Sequence, residues 1–189
     1  MIDKFLEGNK RFIEEDFSRD REYYLKIANK QTPTALFIGC SDSRVDPERV
    51  TGAKMGEIFV HRNIGNIVAK DDPNLGTVLE YAVEHLRVQD IVVYGHSDCG
   101  AMKALDAGEG GMYIGGWLEA AKGAKAKADA EKIPALTPAR KKAIEIENMR
   151  IAIANLRTYP FVKKAEDEGL LTLHGLYYDL ETGELSKVL

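Results

Sequence analysis

Three short apolar runs limit this chain's fold more than any other feature: TALFIG at residues 34–39, EIFVHR at 57–62 and DIVVYG at 90–95. Each is too short for a helix, carries β-branched and aromatic residues, and is apolar at neighbouring rather than alternate positions. That is the pattern of a strand covered on both faces. The cover must come from helices, and the intervening segments have the periodicity to supply them. In DDPNLGTVLEYAVEHLRV, Asp72 is a candidate cap and Pro73 takes the first helical position, while Val78, Leu79, Ala82, Val83 and Leu86 share one face. This reads as a crossover helix between parallel strands.

The rest of the chain continues the alternation. Residues 2–15 place Phe5, Leu6, Phe12 and Ile13 at helical spacing. CGAMKALDAG opens another helix, GEGGMYIGG loosens the chain, and AAKGAKAKADAEK reads as a solvated helix. A long helix starts at Thr137-Pro138, and the ETGE turn near the C-terminus separates two apolar runs that suggest a terminal strand pair. The expected fold class is α/β: a three-layer α/β/α sandwich around a central, mainly parallel sheet. With 189 residues, no internal repeat and no Pro/Ser-rich linker, the expectation is one domain, 1–189.

Lys+Arg number 26 against 30 Asp+Glu, a net charge of −4. That balance gives no electrostatic reason to expect nucleic acid or an anionic membrane as partner, and points to a small-molecule substrate. The N-terminus lacks an apolar signal core and no apolar run approaches the ~20 residues of a membrane span, so a cytoplasmic protein is expected.

In open α/β sheets function gathers in loops at the carboxyl ends of strands. Both cysteines of the chain fall there: Cys40 ends the first run, and His96 and Cys99 follow the third in GHSDCG. Two inert buried thiols beside a packed histidine is the plain explanation. A zinc site is the economical one, since a set of two cysteines and one histidine leaves one of four tetrahedral positions open. Asp42 and Arg44, in CSDSR, favour zinc. A carboxylate two residues from a ligand could take the fourth position or orient a bound water, and the arginine can hold it by a bidentate, charge-assisted pair.

CSDSR followed at this interval by GHSDCG resembles the β-class carbonic anhydrases. EGNKRF, GEIFVHRNIGNIV, LEYAVEHL and HGLYYDLETGEL extend the resemblance over nearly the whole chain. It implies that Cys40, His96 and Cys99 bind Zn2+ and that Asp42 and Arg44 form the catalytic dyad. It also implies a homo-oligomer with the dimer as basic unit, its N-terminal helices wrapping a partner subunit. Gln31, Phe59, Ile64 and Tyr81 match the carbon dioxide pocket of plant-type members, and His85, one turn beyond Tyr81, falls where a proton relay has been placed. Phe37 stands where members with an inhibitory bicarbonate site have tryptophan, although Gly39 and Arg62 are kept. That departure argues for an open metal with Asp42 on Arg44. Gly39 itself replaces the plant-type alanine.

The implied reaction is reversible hydration of CO2 to bicarbonate and a proton. Zinc lowers the pKa of bound water toward ~7 and the hydroxide attacks carbon. Two thiolates offset the metal charge, so water should be acidified less than at a site of three neutral imidazoles, and the activity optimum should be alkaline. The alternatives are hydrolysis of carbonyl sulfide or carbon disulfide on the same scaffold, or a non-catalytic zinc protein, which would be expected to lack Asp42, Arg44 or a ligand.

Overall fold

The computed structural model describes residues 2–189, which fall into two compact units divided between Thr32 and Pro33. The first contains α1 (Ile2–Phe12), which runs on into a wider helical turn at Ile13–Phe17, and α2 (Arg21–Asn29). An aromatic cluster holds its elements together: Tyr24 stacks on Phe17 with ring centroids 5.0 Å apart and meets Phe12 edge-on at 5.4 Å. The apolar spacing seen in the sequence does form a helix face, yet Phe5 and Leu6 on it are 68% and 59% exposed.

The second unit is built on a five-stranded sheet of β1 (Ala35–Cys40), β2 (Ile58–Asn63), β3 (Asp90–His96), β4 (Thr172–Tyr178) and β5 (Leu185–Lys187). Their order is β2-β1-β3-β4-β5, parallel except for the last pair. The expected strands therefore form, shifted by a residue or less, and the ETGE turn closes the antiparallel β4–β5 pair. Helices flank the sheet, as the alternation predicts. They are α3 (Pro47–Thr51), α4 (Pro73–Glu80, continued by a wider turn at Tyr81–Leu86), α5 (Gly100–Ala107), α6 (Met112–Leu118), α7 (Lys122–Ala130), α8 (Pro138–Leu156) and α9 (Pro160–Asp167).

Helix starts follow the local chemistry. The Asp72 carboxylate accepts from the N–H groups of Asn74 and Leu75, at 2.9 and 3.3 Å, and Thr137 accepts from Arg140 N–H at 3.2 Å, each with proline next in the chain. Leu36, Ile38, Ile91 and Val93 point to one face of the sheet and pack with Leu75, Leu79, Met149 and Leu156. Burying each such side chain contributes about 1.5–3 kcal/mol. Ala35, Phe37, Val92 and Tyr94 line the other face with Val45.

Two expectations need correction. The glycine-rich segment contains α6, because burial of Leu118 and a hydrogen bond from Trp117 Nε1 to Ile64 O at 2.7 Å outweigh the poor helix propensity of Gly115 and Gly116. The Ala/Lys-rich helix is solvated on its outer side only. Ala121, Ala124 and Ala128, spaced three and four residues apart, form a buried stripe of small side chains against α8.

Gly95 brings α8 close to the end of β3, since a Cβ there would overlap Met149 Sδ. Chain order places the topological reversal between β1 and β3: β2 lies to one side of β1, and the next strand crosses to the other. A crevice forms outside the carboxyl ends of strands at such a point. Cys40 and His96 end the two strands that border it.

Candidate active site

Cys40, His96 and Cys99 converge in this crevice, with one potential ligand atom from each lying within 4.8 Å of the others. Cys40 is 5% exposed, His96 and Cys99 1% each. His96 Nδ1 lies 2.9 Å from Ser97 O, a contact that holds the proton on Nδ1 and leaves the lone pair on Nε2. Nε2 itself is buried and has no hydrogen-bond partner. A buried imidazole nitrogen with no partner, facing two sulfurs, is the donor set that fits a zinc ion.

The backbone at both cysteines is specialised. Asp98 takes a left-handed conformation (φ 56°), which asparagine and aspartate tolerate better than other side chains, and so turns the chain into Cys99 at the start of α5. Gly65 is also left-handed (φ 82°), and a Cβ there would stand 2.9 Å from Ala101 Cβ. Only glycine fits, and its N–H approaches Cys40 Sγ at 3.4 Å.

The hydrogen bond from Cys99, the neighbouring imidazole and the loop amides pull the Cys40 thiol well below its ordinary range, whereas sharing that proton and being buried push Cys99 up. Burial, the largest single effect, opposes a charge on His96, but the nearby Cys40 sulfur, the Ser97 carbonyl and the Asp42 charge together raise the imidazole pKa. The site thus stabilises a single negative charge, on the Cys40 sulfur.

Asp42 and Arg44 form a bidentate pair, Nε to Oδ1 at 3.0 Å and Nη2 to Oδ2 at 2.8 Å, and Arg44 N–H also donates to Oδ1 at 2.9 Å. The Arg44 guanidinium beside it holds the Asp42 carboxyl well below the usual carboxylate range. Arg44 Nη2 further reaches Asp98 O at 3.4 Å, and Asp98 is anchored by Lys103 at 3.0 Å and Lys141 at 3.3 Å. The dyad is therefore tied to the loop that delivers Cys99.

Other residues singled out in the sequence fall into four groups. Phe59, Tyr81 and His85 form a row of rings, with centroids 6.0 and 5.5 Å apart. Ile64 precedes Gly65 and borders a cleft of about 590 Å3 shared with Ser41, Arg62, Asn63, Tyr113 and Trp117. Gln31 follows α2 in the N-terminal unit and is exposed. Phe37 packs edge-on against Tyr94 at 5.9 Å, while Arg62 donates to Cys40 O at 2.9 Å and to Asp42 O at 2.7 Å.

Sequence reasoning missed several supports of the site. Glu145 and Asn148 on α8 reach its two loops, and Trp117 holds the Ile64 carbonyl. Their one sequence signal is position: the two polar side chains stand beside Ile144 and Met149 on the buried face of a helix.

The carbonic anhydrase family profile matches residues 35–185. A carbonic anhydrase of Pseudomonas aeruginosa is 44% identical over 191 residues, covering 98% of this chain and 84% of that protein. Among solved structures, the β-carbonic anhydrase CcaA superposes with a TM-score of 0.93 at 33% identity, covering 98% of this chain and 94% of its own. One of two tetrameric β-carbonic anhydrases from the ascomycete Sordaria macrospora gives 0.93 at 32% identity, covering 99% and 96%. The family profile, the sequence relatives and the superposed structures agree: the chain belongs to the β-carbonic anhydrase family and is a carbonic anhydrase.

Proposed function

We propose that the protein catalyses the reversible hydration of CO2 to bicarbonate and a proton, with Zn2+ held by Cys40, His96 and Cys99. The observation that carries this is the buried, partnerless His96 Nε2 in a cluster with two thiols. Bound zinc would supply the Lewis acidity that makes water a nucleophile near neutral pH. Cys40 and Cys99 hold it as thiolates, which requires both to stay reduced and fits a cytoplasmic setting. No helix among the described residues is long and apolar enough to cross a membrane.

Asp42 accepts the hydrogen bond that aims the attacking oxygen, and Arg44 fixes the carboxylate in orientation and charge. Phe59, Ile64 and Tyr81 give the nonpolar, linear substrate apolar walls. The Tyr81–His85 pair carries the released proton outward. The exposed Phe5, Leu6 and Ile13 support helices that wrap a partner subunit, making 1–189 one catalytic domain within a homo-oligomer built on dimers.

Hydrolysis of carbonyl sulfide or carbon disulfide would need the same metal chemistry, but the relatives named carbonic anhydrase favour CO2. Stopped-flow hydration of CO2 beside hydrolysis of carbonyl sulfide on zinc-loaded protein separates the two. A kcat/KM for CO2 well above that for carbonyl sulfide is expected. Preference for carbonyl sulfide would overturn the proposal.

A further inference from the structure

Among the buried polar side chains of α8, Glu145 at 4% and Asn148 at 2% exposure stand one turn apart. Glu145 Oε1 accepts from Cys99 N–H at 3.0 Å, and Oε2 accepts from Tyr177 O–H at 2.7 Å. Asn148 Nδ2 donates to Gly65 O at 2.9 Å, and the N–H of that same Gly65 approaches Cys40 Sγ at 3.4 Å. Burying a carboxylate is costly and is tolerated where its oxygens are hydrogen-bonded. Here one oxygen goes to the amide of one cysteine, while the helix's neighbouring amide side chain supports the loop that donates to the other cysteine.

We propose that Glu145 and Asn148 form a clamp on α8 that positions both cysteine sulfurs of the metal site and sets how strongly each donates to the metal. The inference deepens the zinc assignment above and rests on it. The two arms act in opposite senses. Asn148 holds Gly65 where its N–H can draw electron density from Cys40 Sγ, and the Gly65–Ala101 contact braces that loop against α5. Glu145 places a carboxylate at the amino end of α5, where it offsets the helix-end positive field that would otherwise weaken Cys99 as a donor. Tyr177, from β4, holds the second carboxylate oxygen and so fixes the direction in which the first one points. Both residues act through other groups, so they are positioning residues.

The test compares Glu145→Gln and Asn148→Ala with the unaltered full-length chain. Zinc affinity is measured by competition with a chelating dye, and sulfur-to-metal charge-transfer bands are recorded after cobalt(II) substitution. Circular dichroism and thermal unfolding of metal-free protein serve as structural controls. Glu145→Gln should weaken zinc binding by about 10–100-fold, the range typical of lost outer-shell partners, and shift the cobalt bands with native secondary structure retained. Asn148→Ala should weaken zinc binding by a smaller factor, because Cys40 loses its positioning but gains electron density, and should shift the cobalt bands in the opposite direction. Unchanged zinc affinity and cobalt spectrum beside a lowered unfolding temperature would show a purely structural role and overturn the proposal. If Glu145→Gln does not fold, Asn148→Ala decides on the same readouts. Absence of zinc binding by the unaltered chain would instead overturn the zinc assignment, and the clamp with it.

Discussion

Arg44 grips Asp42 through two parallel hydrogen bonds, 3.0 and 2.8 Å long, so the whole carboxylate is engaged on the guanidinium and its plane is fixed. A carboxylate held this way is a directed acceptor with a permanent charge. Asp42→Asn should therefore keep its zinc and lose about 10^2- to 10^4-fold in kcat/KM for CO2 hydration, the usual range for a positioned proton acceptor. Near-native kcat/KM at alkaline pH would show the pair to be structural.

The same pair predicts a pH dependence of stability. The folded pKa of Asp42 lies below its unfolded value of ~3.9, so its contribution is present above that value and fades as pH falls through the depressed one. Because Arg44 is half exposed, solvent screening keeps the effect small. Thermal unfolding of the native protein and Asp42→Asn, followed from neutral pH into acid, should give unfolding temperatures that differ at neutral pH and converge in acid. A gap that widens in acid would contradict this.

Bicarbonate should act as product only, without cooperative inactivation. Phe37 has no side-chain N–H to offer an anion and is packed on Tyr94, while Arg62 is engaged on two backbone carbonyls. The measurement is initial CO2 hydration rate against bicarbonate concentration. A sigmoidal loss of activity would refute the expectation while leaving the enzyme assignment intact.

Gly95→Ala should destabilise the fold by about 1–3 kcal/mol, the cost of overpacking, because the added methyl meets Met149 beside the strand end that carries His96. Denaturant unfolding measures it. In a Met149→Ala background, which itself loses core packing, Gly95→Ala should cost less, and an undiminished cost would place the strain elsewhere.

The sequence made the strands and their functional ends legible, because TALFIG, EIFVHR and DIVVYG owe their burial to local composition. CSDSR and GHSDCG were legible as a candidate site because they set two cysteines, a histidine and an Asp/Arg pair at strand ends. What stayed hidden depends on distant partners. Glu145 and Asn148 look like any polar residues of a charged helix until the fold brings them to Cys99 and Gly65, 46 and 83 residues away. Glycine content made α6 look irregular, since the Trp117–Ile64 bond that stabilises it spans 53 residues. Lysines concealed the buried alanine stripe of α7 because the two faces of one helix are interleaved in sequence.

The central claim is that Cys40, His96 and Cys99 hold a zinc ion on which CO2 hydration depends. It is tested most directly by titrating zinc into metal-free protein while following stopped-flow CO2 hydration. Activity should rise in proportion to bound zinc and saturate at about one ion per chain, and Cys99→Ser should neither bind the ion nor respond. Full activity without zinc, or full zinc occupancy in Cys99→Ser, would contradict the account.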